Sequence, residues 1–174
     1  MTPDRRAPGE VHRSRRLPVV ALTAAAIVAL DQTTKTLALD RLRNGPVHLA
    51  GPLSLALTFN SGVAFSLGAG LIVPLVVVGS VAVVALVWFA TASPSFPVAV
   101  AEGMVVGGAL GNLVDRIFRS HGGAVVDFIH LGFWPTFNLA DAAIVVGGTV
   151  LVVAFRRRVG GRGMAYPDTR RAEP

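Results

Sequence analysis

Two short motifs with the same spelling place an asparagine and an aspartate three residues apart. Asn112 and Asp115 lie near the end of one apolar segment, and Asn138 and Asp141 lie at the start of the next. Two carboxyls that share a site of low dielectric cannot both ionise cheaply, so one of them keeps a proton. The ionised member accepts a proton from an attacking water, and the protonated member donates a hydrogen bond to the carbonyl under attack. The motifs therefore predict aspartic peptidase chemistry at Asp115 and Asp141.

The composition indicates a membrane protein with several spans. Of the 174 residues, 52% are hydrophobic and 15% are charged, and the mean hydropathy is +0.61. This combination is wrong for a soluble domain. The absence of cysteine excludes disulfides and thiolate metal sites, and the 4 histidines lack metal-like spacing, so no metal or cofactor is predicted. The net charge of +6 lies mostly in the two tails, which indicates topology determinants and not nucleic-acid binding.

Four segments are long and apolar enough to cross a bilayer, which needs roughly 20 residues. They cover residues 17–39, 71–90, 96–118 and 137–155. Arginines cluster before the first segment and after the last, so the positive-inside rule predicts that both termini are cytoplasmic. Residues 1–14 and 160–174 lack any apolar period and are predicted to be mobile tails. The chain is predicted to form a single membrane-embedded domain over residues 1–174.

Residues 44–67 contain short and partly alternating apolar runs, at 47–49, 53–59 and 64–67, which glycine and proline separate. This pattern predicts small strands joined by turns. The edges of a sheet at a membrane surface must be covered. We therefore expect the sheet to rest on the outer ends of the helices.

Helix geometry predicts that three acids reach one level. At about 1.5 Å per residue, Asp115 lies some 27 Å along the third span, near its outer end. Asp141 lies about 6 Å into the fourth span, which runs the opposite way, and Asp31 lies about 21 Å along the first. Residues three apart share a helix face, so each asparagine is expected beside its aspartate. Glycines at every fourth position of the third span predict close helix packing, at Gly103, Gly107 and Gly111.

Asp31 and Lys35 have the spacing of an i,i+4 ion pair. Lys35 is the sole lysine of the chain, and its compact ammonium meets geometries that arginine does not. We expect both residues to support the site without taking part in the chemistry. Asp127 is expected to hold a loop in place, and Glu102, near the cytoplasmic end of the third span, is assigned no role.

Four motifs follow one another along the chain: DQTTK at 31–35, NSGVAFS at 60–66, GGALGNLVDR at 107–116, and VDF at 126–128 with FNLADA at 137–142. In this order, over residues 17–155, they resemble the bacterial lipoprotein signal peptidase family, signal peptidase II. The resemblance implies an aspartic endopeptidase of the inner membrane. Such an enzyme removes the signal peptide from diacylglyceryl-modified prolipoproteins and cuts before the lipidated cysteine.

The resemblance also implies a fold and a set of site residues. The fold is an all-α membrane protein of four transmembrane helices with a small extracytoplasmic β-cradle and an active site near the outer leaflet. The catalytic dyad is Asp115 and Asp141. The supporting residues, to which we add Lys35 as the partner of Asp31, are Asp31, Asn60, Asn112, Arg116, Asn138 and Ala140. The expected partners are prolipoproteins and membrane lipids, with no nucleic acid, and the enzyme is expected to be a monomer.

Other functions make different predictions. A serine/lysine peptidase would use Ser61 or Ser66 with Lys35 as base, and it would leave both Asn-x-x-Asp motifs unexplained. A transporter or proton channel needs acids at successive depths or inverted repeats. A non-enzymatic assembly factor would keep its function in Asp115→Asn.

Overall fold

The computed structural model describes residues 16–61, 77, 80–81 and 95–160, which include three long helices and one small sheet. Helix α1 covers Leu17–Arg41, α2 covers Phe96–Phe118 and α3 covers Leu139–Gly160. All three are long and apolar enough to cross a membrane. A helix suits the bilayer because it satisfies its own backbone hydrogen bonds where water is absent. The spans predicted at 17–39, 96–118 and 137–155 are confirmed as helices.

Several predicted segments lie outside the described residues. These are the strand-like run 64–67, the N-terminal tail 1–14 and residues 161–174 of the C-terminal tail. Gly160, the first residue of the predicted tail, ends α3. Of the predicted span 71–90, the structure describes only Val77, Ser80 and Val81, which are helical.

Helix α2 lies between α1 and α3, and its glycines allow both contacts. A Cβ on Gly107 would lie 2.7 Å from the carbonyl oxygen of Ala24 on α1. A Cβ on Gly108 would lie 2.5 Å from the carbonyl oxygen of Ala140 on α3. Side chains do not fit at these distances, so the two glycines set how closely the helices approach. The predicted packing role of the glycine stripe is confirmed, and Gly108 extends it to a second helix.

The sheet has three antiparallel strands in the order β1-β2-β3. Strand β1 covers Val47–Ala50, β2 covers Leu53–Asn60 and β3 covers Val125–His130. The first two confirm the runs predicted between residues 44 and 60. Strand β3 differs from the expectation that Asp127 holds a loop, since Asp127 lies within this strand. Phe137 pairs with Ile129 in an antiparallel bridge, so α3 begins two residues later than predicted.

The sheet packs against the end of α1, as expected. Phe128 of β3 is buried with Ala38 and Leu42, and Leu55 and Leu57 of β2 pack on this cluster. Successive residues of a strand point to opposite faces, so Asp127 points away from the face that carries Phe128. The same end of the bundle contains the end of α2 and the start of α3, and we call it the sheet end.

Candidate active site

A cluster of buried polar side chains lies at the sheet end. Asp31 and Lys35 come from α1, Asp115 from α2, Asp127 from β3 and Asn138 from the residue before α3, and each is at most 1% exposed. Ionisable side chains inside a membrane protein are costly, and they mark candidate functional sites. Elements that are distant in sequence therefore supply one site.

Lys35 is the cation at the centre of this cluster. Its Nζ lies 2.8 Å from Oδ2 of Asp31 and 2.9 Å from Oδ2 of Asp115. It also donates to Oδ1 of Asn112 at 3.0 Å. An ammonium has three N–H donors, so these contacts use all of them. The predicted ion pair between Asp31 and Lys35 is confirmed, and its cation also binds α2.

Asp115 has donors on both carboxylate oxygens. Oδ1 accepts hydrogen bonds from Nε of Arg119 and Nε2 of Gln32, each at 2.9 Å. Oδ2 lies 2.9 Å from Nζ of Lys35 and accepts from the backbone N–H of Val126 at 3.0 Å. A carboxylate offers about four lone-pair sites, and these four donors occupy them. Asp115 is therefore an anion held between two cations.

Asp31 connects α1 to the first turn of α3. Its Oδ1 accepts a hydrogen bond from the backbone N–H of Ala140 at 3.0 Å. On the α2 side, a Cβ on Gly111 would lie 2.6 Å from Oδ2 of Asp31, so only glycine leaves room for the carboxylate. The hydrogen bond to Asp31 thus fixes the position of Ala140, which immediately precedes Asp141.

The motif at the start of α3 forms a capping box. Asn138 precedes the helix, and its Oδ1 accepts a hydrogen bond from the backbone N–H of Asp141 at 2.9 Å. In return, Oδ2 of Asp141 accepts from the backbone N–H of Asn138 at 3.2 Å. These bonds satisfy N–H groups that have no partner within the helix. Asn138 lies beside Asp141, as expected, but it precedes the helix and is not part of it, because Phe137 is still paired with the sheet.

Asn138 brings Asp127 and Asp141 to one place. Its Nδ2 donates to Oδ1 of Asp127 at 2.7 Å, while its backbone N–H and Oδ1 hold Asp141. Its Nδ2 also donates to Oδ1 of Asn112 at 3.1 Å. Asn112 in turn donates from Nδ2 to Oδ1 of Asp141 at 2.8 Å. Two carboxyls are therefore arranged around two amides.

Burial raises the pKa of Asp127 above its ordinary value. Hydrogen bonds from Asn60 and Asn138 oppose the rise, the negative charge of Asp141 adds to it, and the charge of Lys35 opposes it. Burial is the largest of these influences, so the pKa of Asp127 lies above that of a free aspartate. The influence of Asp141 on this pKa means that the two carboxyls interact electrostatically.

Asn60 contacts one of these carboxyls, and Arg116 contacts the backbone of Asn112. Asn60 ends β2, and its Nδ2 donates to Oδ2 of Asp127 at 3.0 Å. Arg116 makes one long hydrogen bond, from Nη1 to the backbone oxygen of Asn112 at 3.4 Å. Its Nε is buried and has no hydrogen-bond partner within the described part of the chain. The guanidinium therefore has an unused donor one helical turn from Asn112.

The structure gathers the residues predicted for the site but divides them into two groups. Asp31, Lys35 and Asp115 form an ion cluster that holds the helices together. Asp141 lies in the second group, with Asn138 and the carboxyl of Asp127. The predicted pairing of Asp115 with Asp141 stays a prediction, since the contacts of Asp115 are to cations and N–H groups.

Sequence reasoning missed three residues: Asp127 as a site residue, and Gln32 and Arg119 as partners of Asp115. For Asp127 a signal was present, because it is the sole charged residue in the run Val125–His130, whose other members are β-branched, aromatic or histidine. An acid inside a buried strand is rare unless it is paired or functional. Arg119 gave no comparable signal, since it follows the last residue of α2 in the sequence.

Comparison with known proteins gives a family match. A family model described as Signal peptidase (SPase) II matches residues 23–157. A protein of Mycobacterium avium (strain 104) named lipoprotein signal peptidase is 44% identical over 144 residues, covering 80% of this chain and 79% of its own length. A protein of the same name from Rhodococcus jostii (strain RHA1) is 44% identical over 153 residues, covering 84% and 76%.

Solved structures match the fold. One, described as a bacterial membrane enzyme at 2.3 Å resolution, has a TM-score of 0.74 at 24% identity and covers 86% of this chain and 94% of its own. Another with the same description, at 1.9 Å resolution, has a TM-score of 0.71 at 26% identity and covers 79% and 92%. The arrangement of apolar helices and small sheet is therefore one that known membrane enzymes adopt.

Proposed function

The chain belongs to the signal peptidase II family, and we propose that it is a membrane-embedded aspartic endopeptidase that acts on diacylglyceryl-modified prolipoproteins. In this proposal the enzyme removes the signal peptide and cuts before the lipidated cysteine. Family membership supports the removal of signal peptides from prolipoproteins. The carboxyl site supports the proposed way in which the peptide bond is cut.

The observation that carries the catalytic proposal is the pair of carboxyls held around Asn138. Asp127 accepts from the side chain of Asn138, and Asp141 exchanges two hydrogen bonds with the same residue. Two acids in such a place share one proton at neutral pH. The pair then supplies a base for an attacking water and an acid for the carbonyl oxygen.

We assign the second catalytic carboxyl to Asp127, in place of Asp115. Asp115 already receives four donors, two of them cations, so it has no lone pair left for a water. Asp127 receives one hydrogen bond on each oxygen, from Asn138 and Asn60. In this reading Asp115 and Lys35 hold the helices in register, and Asp127 and Asp141 carry out the chemistry.

Arg116 and Asn60 are the proposed contacts for the substrate backbone. The unused guanidinium donor of Arg116 suits a peptide carbonyl. Asn60 lies at the exposed end of β2 beside Asp127, where an extended peptide entering the site would pass. Both residues thus border the pair on the side of the peptide, and we assign them binding and not catalysis.

The lipid of the substrate is proposed to lie against the bundle from the outer leaflet. Burial of acyl chains contributes roughly 0.8 kcal/mol per CH₂, which favours acylated over unmodified substrates. We propose that the enzyme lies in the bacterial inner membrane as a monomer, with both termini cytoplasmic and the sheet end outside. The apolar helices α1, α2 and α3 support a membrane location.

The contacts of Lys35 disfavour the serine/lysine alternative. A lysine base must be neutral to accept a proton from a serine. The Nζ of Lys35 contacts Asp31, Asp115 and the side-chain oxygen of Asn112, so all of its positions are engaged with acceptors and none faces a serine in the part of the chain that the structure describes.

The test is cleavage of a diacylglyceryl-modified prolipoprotein by purified wild type and by three single variants: Asp127→Asn, Asp141→Asn and Asp115→Asn. Thermal unfolding in the same detergent measures how much of each variant is folded. We expect Asp127→Asn and Asp141→Asn to remain folded and to lose about 10³-fold or more in kcat, because general acid and base each contribute about 10²–10⁴-fold.

Asp115→Asn is expected to act mainly on stability. It removes one anion from between buried Lys35 and partly buried Arg119, and breaking a buried ion pair such as the one with Lys35 costs about 3–5 kcal/mol. Normal turnover by folded Asp127→Asn would contradict the assignment of Asp127. Normal turnover by folded Asp141→Asn would contradict aspartic catalysis at this site altogether.

A further inference from the structure

The two carboxyls of the proposed pair differ in how their donors are fixed. Asp141 accepts from Nδ2 of Asn112 at 2.8 Å and from a backbone N–H at 3.2 Å. Asp127 accepts from the side-chain amides of Asn138 and Asn60, and Asn60 is exposed to solvent. The backbone N–H and the restrained amide that contact Asp141 are more rigid than the surface side chain of Asn60. This difference favours a negative charge on Asp141 over one on Asp127.

The orientation of the Asn112 amide is set by its neighbours. Its Oδ1 accepts from Nζ of Lys35 at 3.0 Å and from Nδ2 of Asn138 at 3.1 Å. A reversed amide would place its NH₂ group against two donors, one of them charged. The Nδ2 of Asn112 must therefore point at Oδ1 of Asp141, and that oxygen must accept a hydrogen bond. Lys35 thus acts on Asp141 through one amide.

The helix adds to this preference. Asp141 lies in the first turn of α3, where the helix dipole favours a negative charge. Asp127 lies on a β-strand, whose net dipole is small. The carboxylate oxygens of Asp141 are thus held as acceptors by fixed donors at a positive helix end. Asp127 has no such end beside it, and burial raises its pKa.

The charged groups around the pair leave room for one negative charge. The ion cluster of Asp31, Lys35 and Asp115, taken together with Arg119 just after α2, contains two anions and two cations and is neutral as a whole. Arg116 is half-buried, and its Nη1 donates to the backbone oxygen of Asn112, so it adds one positive charge one helical turn from Asn112. The surroundings therefore carry one net positive charge, which favours one ionised member of the pair, whereas ionising buried Asp127 as well would leave a buried charge without a partner.

We propose that Asp141 is the ionised base of the pair, that Asp127 holds the proton, and that Asn112, oriented by Lys35, is the positioning residue that enforces this division. The assignment rests on the proposed function and deepens it. It fixes the direction of each proton transfer in the reaction.

The reaction then runs in two steps. Asp141 takes a proton from water as the water oxygen bonds to the scissile carbonyl carbon, and Asp127 gives its proton to the carbonyl oxygen. When the tetrahedral species collapses, one hydroxyl returns its proton to Asp127, the C–N bond breaks, and Asp141 passes its proton to the leaving amine. Water is consumed, an acid and an amine are formed, and both carboxyls return to their starting states.

The test compares two amide deletions that act on opposite members of the pair. The pH dependence of kcat/KM reports the pKa values of the essential groups in the free enzyme. The acidic limb of the profile reports the base, and the alkaline limb reports the acid. Asn112→Ala removes a donor from ionised Asp141, so we expect its acidic limb to move up by about one pH unit with the alkaline limb unchanged. Asn60→Ala removes a hydrogen-bond donor that stabilises the ionised form of Asp127. The pKa of Asp127 therefore rises, and the alkaline limb of the pH profile should move to higher pH. That shift should be roughly half a unit, since exposed Asn60 already competes with water.

Wild type and both variants are assayed with the same diacylglyceryl-modified prolipoprotein, and thermal unfolding verifies that each is folded. Asn112→Ser replaces Asn112→Ala if the alanine variant does not fold. The assignment would be overturned if Asn112→Ala moved the alkaline limb and Asn60→Ala the acidic limb. It would also be overturned if neither limb moved in folded protein. Failure of the proposed function is seen separately, as retained turnover in Asp127→Asn or Asp141→Asn.

Discussion

Replacing Gly108 by alanine tests whether close packing of α2 on α3 positions Asp141, the proposed base. A Cβ at this position would lie 2.5 Å from the carbonyl oxygen of Ala140 and 2.7 Å from Cγ1 of Ile144. The Ile144 side chain has freedom to rotate, but the Ala140 oxygen is backbone. Because ordinary contact begins near 3.4 Å, α3 must retreat by about 0.9 Å at this level. Overpacking of this kind costs about 1–3 kcal/mol.

The retreat has a consequence for activity beyond stability. Ala140 is the neighbour of Asp141, and its N–H is bound to Asp31. A shift of about 1 Å at a reacting group costs on the order of 10² in rate. We therefore expect Gly108→Ala to lower kcat by about 10²-fold per folded molecule, measured with a diacylglyceryl-modified prolipoprotein.

Gly148→Ala is the matched control. Gly148 lies on α3 and has no heavy atom within 4 Å of the position its Cβ would take. Alanine there costs no contact and favours the helix by up to about 1 kcal/mol. The control should unfold at the same temperature as wild type or slightly higher, with unchanged kcat. If Gly108→Ala matches Gly148→Ala in both measurements, the helices do not need this approach, and our account of how Asp141 is positioned is refuted.

Three further predictions concern single groups of the site. Lys35→Met should lower the free energy of unfolding by about 3–5 kcal/mol in detergent, because it strips the buried carboxylates of a cation; an unchanged value would contradict the ion cluster. Asn138→Ser should keep most of the stability but lose turnover, since serine caps helices well yet has no amide to donate to Asp127; equal turnover would remove Asn138 from the pair. The raised pKa of Asp127 means that its folded state keeps a proton that the unfolded chain loses, so its contribution to stability is present below the ordinary value near 3.8 and is lost as pH rises through the raised pKa. The difference in unfolding free energy between wild type and Asp127→Asn, measured across this window, should fall with rising pH, and a flat difference would contradict the raised pKa.

The helices of this fold were predictable because their signal is composition over a long window. The third predicted span agrees with α2 at both ends, Phe96 and Phe118. Strand β3 was not predictable in the same way, since a six-residue strand between two helices has no neighbour in sequence to pair with. Its partner β2 lies more than sixty residues earlier, as the register of Asn60 with Val125 makes plain. Strand signals that depend on distant pairing are weaker than the local periodicity of a helix.

Most residues of the site were predictable from the sequence, but the contacts between them were not. Asp31, Lys35, Asn112 and Asn138 all reach the sheet end, as their motifs implied. The prediction of Asp115 as a catalytic residue followed from the repeated Asn-x-x-Asp motif and from the family resemblance, and neither one indicates which cations contact which carboxylate. That information depends on packing.

The two Asn-x-x-Asp motifs show why the same sequence pattern leads to different contacts. In α2 the backbone around Asp115 is already satisfied by the helix, so its side chain is free to gather Lys35 and Arg119. At the start of α3 the backbone N–H groups have no helical partner, and the capping box ties Asp141 to them. A carboxylate held by the backbone keeps its position as a proton moves through it, which is what a preorganised base requires. Location relative to a helix end therefore makes Asp115 the centre of an ion-pair cluster and fixes Asp141 in the way that its proposed role as a base requires.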